Sequence, residues 1–204
     1  MHPFTSAIIL AAGKSTRFPG NKLTYEIDIE GVRAPLIRHT VVKFINSKVF
    51  HEIVVVLGFS KDLVEEALRG LRISLVYNEA YDAGMSTSVV KGVESVIHRS
   101  DLVAIHPGDV PYVRVETLRD LVEYALDILS LSNSFIVVPR LTNVGRGGHP
   151  LIVGRGLIQE ILKVSEEEMG LKGFLKRNYD KVLYHDTDDV GVLKDVDVPE
   201  DLNR

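Results

Sequence analysis

The feature that most constrains this chain is an alternation. Short apolar runs of strand length recur between segments whose apolar residues follow a helical period. Residues 6–12 predict a buried strand. Residues 35–47 predict a helix with Leu36, Ile37, Val41, Phe44 and Ile45 along one stripe. Residues 52–57 form a second run, and Ser60 is placed to cap a helix with Leu63, Val64, Ala67 and Leu68 on one face. Residues 73–77 follow as a strand and 86–97 as a helix aligning Val89, Val90, Val93 and Ile97. Residues 102–106 predict a strand and 115–129 a long helix. Further strands are expected at 135–139, 151–153 and 181–184, short helices at 157–162 and 169–176, and a last helical turn at 199–202. Strands separated by such helices imply a mainly parallel sheet covered on both faces. Ligands of such sheets bind in the crevice beyond the carboxyl ends of the strands.

The loops at those strand ends hold most of the unusual residues. The first runs Ala12-Gly13-Lys14-Ser15-Thr16-Arg17-Phe18-Pro19-Gly20-Asn21-Lys22. Small residues allow close backbone approach to a ligand. Loop N–H groups and the Ser15 and Thr16 hydroxyls can cradle phosphate oxygens. Arg17 and Lys22 supply the charge a polyphosphate needs. The glycine spacing fits neither a P-loop nor the dinucleotide fingerprint.

Composition excludes several classes. The 204 residues contain 24 Lys+Arg and 28 Asp+Glu, a net charge of −4, so bulk electrostatics does not suggest a nucleic-acid partner. With no cysteine there is no disulfide, zinc–thiolate site or thiol nucleophile. The charge is uneven: residues 1–50 carry a balance of +4, residues 180–204 one of −5. Solvated faces explain such runs; a basic loop for phosphate and an acidic segment for a metal explain them too. No apolar run approaches the roughly 20 residues of a spanning helix. The N-terminus reads as having no export leader, so the expected location is the cytoplasm, away from any membrane.

Three further segments stand out. Asn78-Glu79-Ala80-Tyr81-Asp82-Ala83-Gly84-Met85-Ser86-Thr87-Ser88 joins a strand to a helix, and Ser86 is placed to serve as its N-cap. The Asn78 amide has the donor and acceptor to read a base edge. In His106-Pro107-Gly108-Asp109-Val110-Pro111, Asp109 stands at a strand's carboxyl end. It suits a Mg²⁺ ligand, or a cap of the helix that begins near Arg114. In Asp195-Val196-Asp197-Val198-Pro199-Glu200-Asp201-Leu202, a strand would turn Asp195 and Asp197 to one face. Pro199, Glu200 and Asp201 read as an ordinary helix start.

The first loop resembles the opening motif of the MobA-like NTP transferases. Ala11-Ala12-Gly13 is similar to the branch containing molybdenum cofactor cytidylyltransferases; the guanylyltransferase branch more often has glycine where Ala12 stands. The chain departs at Pro19, where the family has glycine, and at 28–34, a longer segment expected to be a hairpin turning at Glu30-Gly31. His106–Pro111 resembles the family's Gly-Asp-x-Pro metal site, with Val110 where molybdopterin enzymes often have Gln. The acidic terminus resembles Asp-x-Asp-Thr-Pro-Glu-Asp-Leu, with Val198 for Thr. Gly148-His149-Pro150 is similar to an acceptor-side motif, although a lone histidine is as often structural. Gly170, Lys172 and Leu171–Leu175 resemble the late acceptor-side helix.

The resemblance implies a three-layer α/β/α, Rossmann-like (GT-A-like) nucleotidyltransferase fold. It implies one domain over 1–204, with about 1–112 binding nucleotide and 113–204 contributing the acceptor site and second metal carboxylate. The implied reaction is transfer of a nucleoside monophosphate, CMP by the Ala12 criterion, from NTP to molybdopterin or a similar phosphorylated acceptor. Arg17, Lys22 and Asp109 are then catalytic. Leu10, Ala11, Ala12, Gly13, Ser15, Thr16, Arg17, Lys22, Asn78, Gly84, Ser86, Ser88 and Gly108 border the nucleotide. Asp109 and Asp197 hold Mg²⁺ or Mn²⁺, Gly148, His149 and Pro150 meet the acceptor, and a molybdoenzyme would receive the product. The shared loop also admits transferases acting on sugar phosphates or phosphocholine. A non-catalytic nucleotide sensor is a further reading, though it would not need the Lys22, Asp109 and Asp197 set. No flavin or nicotinamide loop supports an oxidoreductase.

Overall fold

The computed structural model describes residues 3–14, 18 and 20–196. In chain order its elements are β1 (Thr5–Ala11), β2 (Glu26–Ile29), β3 (Val32–Pro35), α1 (Leu36–Ser47), β4 (Glu52–Leu57), α2 (Lys61–Ala67), β5 (Ser74–Tyr77), α3 (Met85–Val96), β6 (Leu102–Pro107), α4 (Val115–Leu129), β7 (Ile136–Leu141), β8 (Arg146–Gly147), β9 (Leu151–Gly154), α5 (Arg155–Ile161), α6 (Gly170–Arg177) and β10 (Val182–Thr187). Eight strands form one sheet in the order β10-β7-β9-β6-β1-β4-β5, with β8 beside β7.

The sheet is mainly parallel, as the alternation implies. β1 pairs parallel with β4 and β6, β4 with β5, and β10 with β7. The departures are the two-residue β8, antiparallel to β7, and β9, antiparallel to both β6 and β7. Residues 142–150, which return the chain from β7 through β8, contain no helix. A parallel crossover needs about a dozen residues or more, usually with a helix, so this shorter return reverses the strand.

The period-2 alternation of each central strand divides its side chains between two cores. From β1, Ala7, Ile9 and Ala11 join Leu36, Ile37, Val41 and Phe44 of α1 and Leu118, Leu121 and Val122 of α4. Ile8 points the other way, to Val89, Val93 and Val96 of α3, Leu157, Ile158 and Ile161 of α5, and Phe174 of α6. Each such burial of a large aliphatic or aromatic side chain stabilises the fold by about 1.5–3 kcal/mol. Three layers result, and the loops at one end of β1 and β6 are left free to build a site. The β2–β3 hairpin turns at Glu30 and Gly31, both with positive φ (57° and 79°), as a two-residue hairpin turn of the I′ kind requires.

Three local expectations differ from the structure. Leu63 is 58% exposed rather than on the inner face of α2; with only seven residues, α2 buries Val64 alone. Ser60 sits at the N-cap position in a left-handed conformation but makes no capping bond with its side chain. Residues 194–196 form no strand, so the strand expected to align Asp195 with Asp197 is absent from the described residues. Asp197 and the turn expected at 199–202 lie outside them.

Candidate active site

Parallel pairing of β1 with β6 sets Leu10 opposite Pro107, so the two following loops leave the sheet side by side. The Gly108 N–H donates to the Leu10 carbonyl at 2.8 Å, and the Gly108 carbonyl accepts from the Thr40 hydroxyl at 2.8 Å. The second loop is thereby tied to β1 and α1 immediately before Asp109.

Lys22 arrives from the other side. Asn21, 4% exposed, accepts from Leu23 N–H at 3.0 Å and gives its amide to the Phe59 carbonyl at 3.3 Å. This anchors the 3-10 turn Lys22–Thr24 against the end of β4. The Lys22 ammonium lies 2.6 Å from Asp109 Oδ2 and donates to the Val196 carbonyl at 2.8 Å. Val196 N–H in turn donates to the Asp109 carbonyl at 3.0 Å. Three segments far apart in sequence therefore meet at one ion pair, whose side chains are 12% and 25% exposed.

This pair stands in the wall of a cavity of about 740 Å³, within the range of roughly 300–1,000 Å³ usual for small-molecule sites. Leu10, Ala12, Gly13, Lys22, Gly84, Ser88, Asp109, Gly148 and His149, all expected from sequence, line it together. Lys14, Tyr81, Asp82, Met85, Arg146, Lys172, Leu193 and Asp195 line it as well. The Lys14 ammonium pairs with Asp82 at 2.6 Å and lies 5.9 Å from the Tyr81 ring centre, joining the loop after β1 to the loop between β5 and α3. These additions had a partial signal, since most sit inside or beside the loops singled out above. Asp195 stands in the acidic segment marked for a metal, whereas Arg146 was given no role of its own.

Other expected residues stand behind the wall. Ala11 is fully buried in the core, and neither Gly108 nor Pro150 lines the cavity. Asn78, 3% exposed, donates to the Thr87 and Ser88 hydroxyls at 2.9 Å each and accepts from Ala80 N–H at 3.0 Å. Reading a base would break those bonds; in this structure Asn78 shapes the loop. Ser86 is not the N-cap of α3: that position is Gly84, with φ 113°. Glu166 takes the Ser86 N–H instead, at 2.7 Å. Ser15, Thr16, Arg17 and Asp197 lie outside the described residues.

His106 supports the Asp109 loop from below. It is fully buried, lies 4.8 Å from Phe44 ring to ring, and its Nε2 is 2.9 Å from the Val110 carbonyl. A carbonyl only accepts, so the proton is on Nε2. Burial pushes the His106 pKa down to about 3, so the ring is neutral. His149 meets it edge-on at 6.2 Å. Burial lowers the His149 pKa too, against the opposing pull of Asp109 and Asp195. Its main-chain N–H donates to the Val192 carbonyl at 2.8 Å, which fastens the 190–196 segment over the cavity.

The remaining acids settle a different question. Asp189, 3% exposed, accepts from Arg114 N–H at 2.8 Å, the Thr117 hydroxyl at 2.7 Å and Gly191 N–H at 2.9 Å. It, rather than Asp109, caps α4. Asp186 forms a two-pronged pair with Arg140, and Asp188 pairs with Arg114. In metal terms, Asp109 and Asp195 open on one cavity, and their hard oxygens suit Mg²⁺ or Mn²⁺. No cluster of three ligating side chains occurs among the described residues. Among them, too, no helix is long and apolar enough to cross a membrane.

Comparison with known proteins bears on the family and the fold. The profile of the MobA-like NTP transferase domain matches residues 7–182. A probable molybdenum cofactor guanylyltransferase of Thermococcus sibiricus is 29% identical over 136 residues, 67% of this chain and 62% of that protein. The chain thus spans under two thirds of that relative's length. A nucleotidyl transferase from Methanothermobacter thermautotroptrophicus superposes with a TM-score of 0.80 at 24% identity, covering 98% of this chain and 95% of the other. A Mycobacterium tuberculosis protein solved in complex with manganese gives 0.73 at 22% identity, covering 98% and 97%. Both share the fold.

Proposed function

The chain belongs to the MobA-like NTP transferase family, and we propose from that premise that it transfers a nucleoside monophosphate from an NTP to a phosphorylated acceptor. The observation that carries this reading is the meeting of Lys22 and Asp109 at the carboxyl ends of β1 and β6, in the wall of one large cavity.

The chemistry asks little of the protein beyond charge and alignment. A phosphomonoester has its second pKa near about 6 and is already largely ionised at neutral pH. No strong general base is required. An acceptor phosphate oxygen attacks the α-phosphorus in line; the bond to the bridging oxygen breaks and pyrophosphate leaves with its electron pair. Lys22 stabilises charge on the triphosphate, as preorganised electrostatics. Ser15, Thr16 and Arg17 are assigned with it, and Gly13 brings the backbone close. Leu10, Ala12, Gly84 and Ser88 border the nucleotide, whereas Ala11, Asn78, Ser86 and Gly108 are assigned positioning roles. Gly148, His149 and Pro150, with Arg146 and Lys172 as cations, form the acceptor end.

Asp109 and Asp197, with Asp195 beside them, would hold Mg²⁺ or Mn²⁺; the manganese complex of a structural neighbour supports a divalent ion in this fold. When bound, such an ion neutralises charge on phosphate oxygens. Holding it would draw on the Asp109 carboxylate that Lys22 now faces.

For the nucleotide, Ala12 supports CTP, and molybdopterin is the proposed acceptor, with a molybdoenzyme receiving the product in the cytoplasm. A second reading, GTP, is favoured by the name of the Thermococcus sibiricus relative. Pyrophosphate release with CTP, GTP, ATP and UTP against molybdopterin decides between them. Release with CTP alone supports the first reading, release with GTP alone the second, and none with any NTP overturns nucleotidyl transfer to this acceptor.

A further inference from the structure

The loop between β5 and α3, with the first turn of α3, forms a thin wall. Its inner side gives Tyr81, Asp82, Gly84, Met85 and Ser88 to the proposed active-site cavity. Its outer side gives Asn78, Ala80, Ser86 and Thr87 to a second, more open hollow shared with Val164, Ser165 and Glu166. Asn78 ties the wall to the Thr87 and Ser88 hydroxyls, but no side chain of the loop tethers the first N–H groups of α3. Its N-cap is Gly84, which has no side chain and holds φ 113° and ψ 172°. The first N–H groups of a helix have no partner within it.

The tether comes from 80 residues away. Glu166 Oε1 accepts the Ser86 N–H at 2.7 Å. A carboxylate at a helix N-terminus is doubly favoured, by the orphan N–H groups and by the helix dipole. Gly84 makes room for it, since a Cβ there would run into the Glu166 Cδ and Oε1 at 2.6 Å. Glu166 is itself held in a tight turn: Gly170 N–H donates to the Ser165 carbonyl at 2.8 Å and Met169 N–H to the Glu166 carbonyl at 3.0 Å. That turn starts α6, which carries Lys172 into the cavity. One carboxylate therefore links the wall assigned to the nucleotide with the helix assigned to the acceptor.

We propose that Glu166 is a positioning residue for nucleotide binding, holding the Gly84–Ser88 wall through the N-terminus of α3. This rests on the nucleotidyl-transfer reading above. Glu166 does not touch the Lys22–Asp109 pair, so its loss acts on affinity more than on the chemical step.

The test compares the full chain with Glu166→Ala and Glu166→Gln, by calorimetric titration with the nucleotide that the parent turns over, by steady-state kinetics, and by amide hydrogen exchange. Glu166→Ala is expected to bind nucleotide about fivefold more weakly, the scale of one charge–helix interaction, with a matching rise in KM and kcat changed by less than about twofold. The amides of Ser86, Thr87 and Ser88 should exchange faster. Glu166→Gln keeps an acceptor oxygen and should recover most of the affinity. Unchanged nucleotide affinity in Glu166→Ala overturns the proposal. So does a fall in kcat and thermal stability with KM unmoved, the mark of a merely structural role. If the parent itself binds no nucleotide, the functional reading fails first and the tether falls with it.

Discussion

The two rims of the cavity are built by different means. The rim around β1 and β6 is fixed by neighbouring parallel strands: Leu10 faces Pro107, Gly108 bonds to Leu10, and Asp109 follows at once. The rim around β8, β9 and residues 190–196 depends on long-range contacts between short pieces. There His149 N–H holds the Val192 carbonyl, and Asp189 gathers Arg114, Thr117 and Gly191. On the proposed reading, the Lys22–Asp109 pair sits on the rigid rim that adjacent strands fix, while the opposite rim is clamped by contacts distant in sequence.

The largest effect should come from the rigid rim. Lys22→Ala and Asp109→Asn are each expected to lower kcat by about 10²–10³, with far-ultraviolet circular dichroism unchanged. If single-turnover rates stay within a few-fold of the parent, charge on this rim is not what drives transfer.

The clamped rim should respond in stability and acceptor KM instead. A methyl at Gly148 would meet the Val192 carbonyl and Cβ, so Gly148→Ala should destabilise by about 1–3 kcal/mol. It should also raise the acceptor KM and leave the nucleotide KM near the parent's. Equal shifts in both constants would erase the distinction between the rims. Asp189→Ala, which uncaps α4 and strands two buried donors, should cost about 1–3 kcal/mol in chemical denaturation. Its kcat should hold.

A smaller effect concerns pH. His106 titrates normally near 6.5 when unfolded but only at about 3 when folded. Between those values the unfolded chain binds the extra proton, so stability falls as pH drops below about 6.5. His149, also lowered by burial, adds in the same direction. Urea midpoints for the parent and His106→Gln between pH 7 and pH 5 check this, and the variant should show the flatter slope. A parent midpoint that rises on acidification would contradict the sign.

Much of the rigid rim was legible in the sequence, for a physical reason. Apolar periodicity and strand–loop adjacency are local, so β4 at Glu52–Leu57 and α4 at Val115–Leu129 fall where the pattern puts them. The loops carrying Lys22 and Asp109 follow from where strands end. The other rim was harder to read. β8 has two residues and no period, and the reversal of β9 depends on the short return through 142–150. The caps of α3 and α4 come from Glu166 and Asp189, across 80 and 75 residues. Local capping rules point to Ser86 and Asp109 there, since an acceptor distant in sequence leaves no local pattern. Asn78 shows a related limit: its amide suits a base, but both of its N–H groups and one acceptor position are engaged within its own loop and the start of α3.

The most direct test of the central claim follows the transferred atom. An α-phosphate-labelled NTP, CTP and GTP in separate runs, is incubated with molybdopterin, Mg²⁺ and the full chain, and label and pyrophosphate are counted together. The account predicts label in the acceptor at one pyrophosphate per transfer, and a loss of about 10²–10³ in Lys22→Ala. Equal labelling by parent and variant, or pyrophosphate release without labelled acceptor, would contradict it.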